Sequence, residues 1–365
     1  MHMPENYLSP STCIVLDIIF VVLLVVAIKK THAKIPRERI PLLGFAAAIS
    51  CLVMMVDLPI SGGTSAHAVC AVIIAILFGP WAAVVAVTAA LLVQTVLFGN
   101  GGLLCLGANA FVMAFILPFV GYGIYWIFSR LIKGLRGELL GGFVGSYIAL
   151  VISSLISAIF CSLQPLLFHD SLGNALYAPY PLTVAIPSIL ANALALWGFV
   201  EAILTCVLLI FFRKKCTLFP IERKKEVKTR TKIAEPMPDW ASLKSTVILC
   251  AILSVIIPII SLFMHATFGI WNIEAISANV GYIPTGIENG WAWSGIFPMY
   301  TIFSLPYPLT YIICGILGSA INVGIFKLLS FAYKPANKLG AKIEEPKAQV
   351  KHYDEYVYEI DEEEV

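Results

Sequence analysis

Long apolar runs decide what this chain can fold into. Ile14–Ile28, Ala82–Phe98, Leu103–Phe128 and Val247–Met264 hold one charged residue between them, Asp17. A helix needs roughly 20 apolar residues to cross about 30 Å of hydrocarbon, and several of these runs reach or approach that length. Strands or loops exposed to lipid would leave backbone polar groups unpaired, so the runs must be helical. The composition agrees, with 59% hydrophobic and 13% charged residues against about 25% charged in a soluble domain. The expected fold class is therefore an all-α integral membrane protein.

About nine transmembrane helices are expected: Cys13–Ile28, Ile40–Val56, a short span from His67 to Gly79-Pro80, Trp81–Phe98, Leu103–Phe128, Leu139–Phe168, Leu182–Phe212, Ser245–His265 and Phe303–Phe331. The first run reads as a retained span and not a cleaved leader. No Lys or Arg precedes it, and Lys29-Lys30 follow it where a small-residue cleavage site would stand. Four sections result: a seven-span block at 1–212, a basic linker at 213–244, a two-span segment at 245–331 and an acidic-ended polar tail at 332–365.

Charge sets the expected orientation. All 24 Lys and Arg fall after the first, fifth, seventh and ninth spans, on one side of the nine-span arrangement. The positive-inside rule makes that side cytoplasmic, with the N-terminus outside and the C-terminus inside. The opposite face carries Glu5, Asp57, Asp170, Glu274 and Glu288 but no base. An acidic vestibule would concentrate cations, although translocated loops avoid Lys and Arg in any case.

This topology assigns His2 and His67 to one face, with His169 and His265 on the same side and His32 and His352 opposite. The Met1 amine, the Met1–His2 amide nitrogen and His2 Nδ1 can close two fused chelate rings. A further nitrogen from His67 would complete a planar set of the kind Ni(II) or Cu(II) favours. The amine must be free, and the imidazoles must be neutral. A histidine in second position and another in a loop are also ordinary surface residues, so the residues alone leave both readings open.

Intramembrane polar residues add candidates. Asp17, Gln94, Asn109, Asn192 and Glu201 lie in apolar runs, where such groups face a bundle interior or a cavity. Asn109 follows the glycine-rich loop Gly99–Gly102 and could orient a ligand imidazole. Glu201 fits a structural acid between helices as well as a functional one. The nine cysteines lack C-x-x-C spacing and read as small buried hydrophobes. The absence of a P-loop motif leaves the chain without a visible nucleotide site of its own. A membrane-embedded metalloenzyme would need Glu5 or Asp57 as its acid or base. An ATPase-independent channel or secondary transporter is the other alternative.

The segment Met1-His-Met-Pro-Glu-Asn-Tyr-Leu-Ser-Pro-Ser-Thr-Cys13 strongly resembles the start of the CbiM/NikM family, the substrate-capture components of cobalt and nickel energy-coupling factor (ECF) transporters. Ser61-Gly-Gly-Thr-Ser-Ala-His67, Leu77-Phe-Gly-Pro-Trp81, Leu92-Val-Gln94, Leu97-Phe-Gly-Asn-Gly-Gly102 and Leu106-Gly-Ala-Asn109 continue the resemblance, in order, over roughly residues 1–210. It implies a seven-helix module with an inward-plugging N-terminus and Ni²⁺ or Co²⁺ as transported substrate. Met1, His2 and His67 would be the ligands, with Thr64, Ser65, Gln94 and Asn109 around them. It also implies a transmembrane coupling protein and cytoplasmic ABC-type ATPases as partners, the chain itself not being an enzyme. Residues 240–331 are similar to the accessory two-helix segment of NikN or PDGLE type, more weakly, through Ser277–Asn289. Asn192–Ala202 keeps Gly198 and Glu201 but lacks the expected His and second Gly, which weakens any role carried over to Glu201.

Overall fold

The structure, a computed structural model, describes residues 2–60, 64–215, 240–263, 273–302 and 305–332. Its helices are α1 (Pro10–Lys34), α2 (Ile40–Met54), α3 (Ala71–Phe78), α4 (Pro80–Phe98), α5 (Leu106–Leu131), α6 (Leu135–Leu167), α7 (Leu182–Arg213), α8 (Trp240–Phe263) and α9 (Tyr307–Ala332). Six of them, α1, α4, α5, α6, α7 and α9, are long and apolar enough to cross a bilayer. Within α8, the stretch Lys244–Ile257 forms a shorter apolar helix, and α2 is 15 residues long. The protein is thus a multi-pass helical membrane protein. His265, the linker residues 216–239 and the tail from 333 lie outside the described residues.

The boundaries follow local chemistry. Ser9 caps α1 by accepting the Thr12 amide at 3.2 Å, and Pro10 starts the helix where its missing N–H costs nothing. Pro36 ends it by forcing Ile35 into extended backbone. Ile14, Val15, Ile18 and Val22 of α1 are exposed, as an apolar helix face against lipid should be. Helices α5 and α7 each contain a π-helical turn, Phe111–Ile116 and Ala193–Trp197.

The short third span departs from the expected form. It follows an antiparallel strand pair (β1, Leu58–Ile60; β2, Thr64–Ala66) and comprises His67–Val69 outside regular structure, Cys70 with φ 59°, and the eight residues of α3. At 1.5 Å per residue α3 rises only about 12 Å, less than half a bilayer. It is buried among the other helices: Ala71–Leu77 are at most 7% exposed. Irregular backbone at membrane depth survives only inside protein, and here its polar groups are met by side chains. Ser50 Oγ donates to the Val69 carbonyl at 2.7 Å, and the Val69 and Cys70 amides donate to Glu201 Oε2 at 2.7 and 2.9 Å.

Helix α9 packs along α2 through small residues. Gly315 stands over Leu52, Gly318 over Cys51 and Phe98, and Gly44 over Val323 and Phe326. Small contacts of this kind let apolar helices approach closely where no hydrophobic effect drives them together. Tyr311 donates its hydroxyl to the Met55 carbonyl, and Arg37 Nε donates to the Ser330 carbonyl at 2.6 Å.

Candidate metal centre

The segment ahead of α1 runs inward. Among His2–Ser9 only Glu5 is not buried. Its backbone is held from several directions. Met3 N donates to Asn109 Oδ1 at 2.8 Å, while Asn109 Nδ2 donates to the carbonyls of Met3 at 3.0 Å and Gly101 at 2.6 Å. Glu5 accepts the Leu103 amide at 2.6 Å and the Leu104 amide at 3.2 Å. Gln164 accepts the Ser9 amide at 2.9 Å. The segment crosses the Gly99–Gly102 loop at close range: a Cβ at Gly101 (φ +87°) would overlap the His2 ring, and one at Gly102 (φ +55°) would crowd the Pro4–Glu5 backbone. Only glycine satisfies both demands.

His2 and His67 meet at the inner end of this segment. Their ring centroids are 4.5 Å apart with planes at 33°, and the side chains are 2% and 0% exposed. His67 Nδ1 lies 3.0 Å from the Ala68 carbonyl. An Nδ1–H donated there fixes the tautomer and leaves the Nε2 lone pair available. That Nε2 is buried with no hydrogen-bond partner among the described residues. Burial and the positive N-terminus push the His2 imidazole down to about 3, which favours its neutral, metal-binding form at physiological pH.

The surrounding candidates take different places. Gln94 lies beside His2 and donates from Nε2 to the Cys51 carbonyl at 3.1 Å. Asn109 grips the backbone of the residue after His2, a role one step removed from the orientation of an imidazole. Ser65 is buried near Asp57, and Thr64 lies in β2 opposite Ile60. Met1 lies outside the described residues. His169 is apart from the pair, in an isolated bridge with Ala175. Glu5 is occupied as a backbone anchor, and Glu201 as the acceptor for the start of α3. Among the described residues no cluster of three or more His, Cys, Asp or Glu side chains could hold a metal, and the described cysteines are free thiols.

Sequence reasoning missed a cover. The segment 273–302, between α8 and α9, lies across the plug. Phe297 N donates to the Leu97 carbonyl at 2.6 Å, Trp293 Nε1 to the Val96 carbonyl at 3.1 Å and Gly286 N to the Leu176 carbonyl at 2.8 Å. A Cβ at Gly290 would overlap the Asn6 side chain. The Gly-rich spacing of Gly281, Gly286, Gly290 and Gly295 was the available signal.

A multi-pass helical protein that folds its own N-terminal segment onto a buried pair of imidazoles defines a membrane protein with a small, nitrogen-lined internal site. The sequence profile of the CbiM family, described as cobalt uptake substrate-specific transmembrane region, matches residues 2–216, and the chain belongs to that family. It is 35% identical over 324 residues to a probable fused nickel transport protein, LarMN, of Lactiplantibacillus plantarum, covering 87% of this chain and 93% of the relative. It is 33% identical over 341 residues to the fused nickel transport protein NikMN of Rhodobacter capsulatus, covering 88% and 95%. A crystal structure of a truncated transition metal transporter superposes with a TM-score of 0.57 at 43% identity, covering 59% of this chain and 99% of the other.

Proposed function

We propose that this chain is the metal-capturing membrane component of an ATP-driven Ni²⁺ or Co²⁺ importer of the ECF type. The observation that carries the reading is the buried pair His2 and His67, ring centroids 4.5 Å apart, at the inner end of the N-terminal segment. With Met1 as the free terminus, its amine, the deprotonated His2 amide, His2 Nδ1 and His67 Nε2 supply a planar nitrogen set that favours nickel over cobalt. The names of the relatives, nickel transport and cobalt uptake, support these substrates. The N-terminus and plug face outward and the acidic outer loops gather cations, while the C-terminus is cytoplasmic. Residues 1–212 form the capture module, 213–244 a cytoplasmic linker, 245–331 an accessory segment that covers the plug, and 332–365 a cytoplasmic tail. A transmembrane coupling protein and separate ABC-type ATPases reorient the loaded module and drive release inward.

Calorimetric titration of the purified chain with Ni²⁺ and Co²⁺, in buffers of differing ionisation enthalpy, tests this. Because the His2 imidazole is already neutral, it should add no proton to those released at pH 7 by the amine and the His2 amide. As pH falls from 8 to 6 the amine becomes increasingly protonated and affinity should drop, with no added contribution from His2 until far more acidic pH. His67→Ala should lose high-affinity binding. Retention of native affinity by that variant would overturn the reading.

Gly101→Ala carries a second test, since its methyl group occupies the space of the His2 ring. Strain at φ +87° and displacement of the ring should together weaken metal binding by about a hundredfold, equivalent to roughly 3 kcal/mol. Gly123→Ala, where an added Cβ meets nothing within 4 Å, should leave binding unchanged in the same assay.

A further inference from the structure

At the end of α4 remote from the plug, a cavity of about 620 Å³ opens among the ends of α1, α3, α4, α5 and α6. Helix α4 separates the two places by its 19 residues, about 28 Å of rise. The cavity is lined by Lys34, Arg39 and Arg130. Among the described lining residues the one acid, Glu138, is engaged by Arg213 at 3.0 Å, so it does not offset Lys34 and Arg130. Arg130 stacks over the Trp126 ring, 3.7 Å from the centroid, which orients its guanidinium at the rim. Tyr122, Trp126 and Trp81 also line the space. Beside it, Trp126, Ile127 and Leu131 of α5 are 44%, 48% and 75% exposed. The mouth therefore combines a lipid-facing apolar strip, interfacial aromatic rings and clustered cations.

We infer that this cavity binds the phosphate headgroup of an anionic membrane lipid. Basic pockets between helix ends are suited to such headgroups, and tryptophan and tyrosine belong at headgroup depth. The apolar strip on α5 favours a lipid, whose chains can lie along it, over a soluble anion or an acidic protein segment. The site is independent of the metal pair and needs only that the chain be embedded in a bilayer.

Native mass spectrometry of the full-length protein, loaded with equal phosphatidylglycerol and phosphatidylcholine, reads this directly. The unaltered protein should retain the anionic lipid preferentially, and the preference should fall as ionic strength rises. Lys34→Gln combined with Arg130→Gln should reduce it about thirty-fold, the effect of removing two interfacial cations. Nickel binding by the double variant checks that it is folded, and the salt series on unaltered protein stands if it is not. Equal retention of the two lipids, or a preference untouched by the double substitution, would overturn the assignment. So would displacement of the lipid by millimolar inorganic phosphate, which would give the cavity to a soluble anion. Loss of assembly with a coupling protein at unchanged lipid preference would give it to an acidic protein segment.

Discussion

One extra residue ahead of Met1 should abolish high-affinity nickel binding while leaving both histidines in the chain. In the proposed site the terminal amine is a ligand, and the His2 amide is a ligand only because it lies between that amine and the imidazole. An added residue turns the amine into a peptide nitrogen and moves the new amine away from the chelate. The segment cannot slide to compensate. Met3 is tied in both directions by Asn109, Glu5 takes the Leu103 amide, and Ala178 N reaches the Tyr7 carbonyl at 2.9 Å. Space is also lacking, since Gly101 and Gly102 already press on His2, Pro4 and Glu5. The expected loss is about a thousandfold or more, equivalent to roughly 4 kcal/mol. Equilibrium dialysis with Ni²⁺ gives the affinity, and thermal unfolding without metal shows whether the extended protein is folded. His2→Ala should bind as poorly. A folded, extended protein that binds like the unmodified one would exclude the terminal amine from the site.

Hydropathy made most of the helices legible because a bilayer leaves a long apolar run little choice but to be helical. The same logic hid the third span. Val69–Phe78 is equally apolar whether it is one helix or a short helix entered through irregular backbone. What selects the second form is Glu201, 132 residues away from Val69 in sequence. The histidine pair was legible through charge counting and resemblance, yet its supports were only partly so. Asn109 was conspicuous as an amide in an apolar run, and its position was informative although its contact is with Met3 backbone. Glu5 reads as outer-face charge or as the acid or base of a metalloenzyme, because its role as acceptor for the Leu103 and Leu104 amides depends on a contact about a hundred residues away. The cover formed by 273–302 left only its glycine spacing as a signal, because most of its bonds run through backbone groups such as Phe297 N, which nearly every residue possesses.

Glu201→Leu should lose metal binding although Glu201 touches neither histidine. The start of α3 presents amides with no intrahelical partner, and a carboxylate at a helix N-terminus satisfies them with charge as well as geometry. Here it holds the Val69 and Cys70 amides, two and three residues after His67. Leucine would leave both buried without acceptors, at about 1–3 kcal/mol each. The segment would have to move to find partners, carrying His67 with it. Glutamine keeps the shape and one acceptor oxygen, so Glu201→Gln should bind nickel within about tenfold of the unaltered protein. The pair of substitutions separates the two roles an intramembrane acid can play. If Glu201 only positions backbone, uptake by the reconstituted transporter will follow binding in both variants. If it instead exchanges a proton during transport, Glu201→Gln will bind metal and fail to move it. The two-amide acceptor geometry supports the first outcome, because both amides converge on one oxygen, Oε2, as on a backbone anchor.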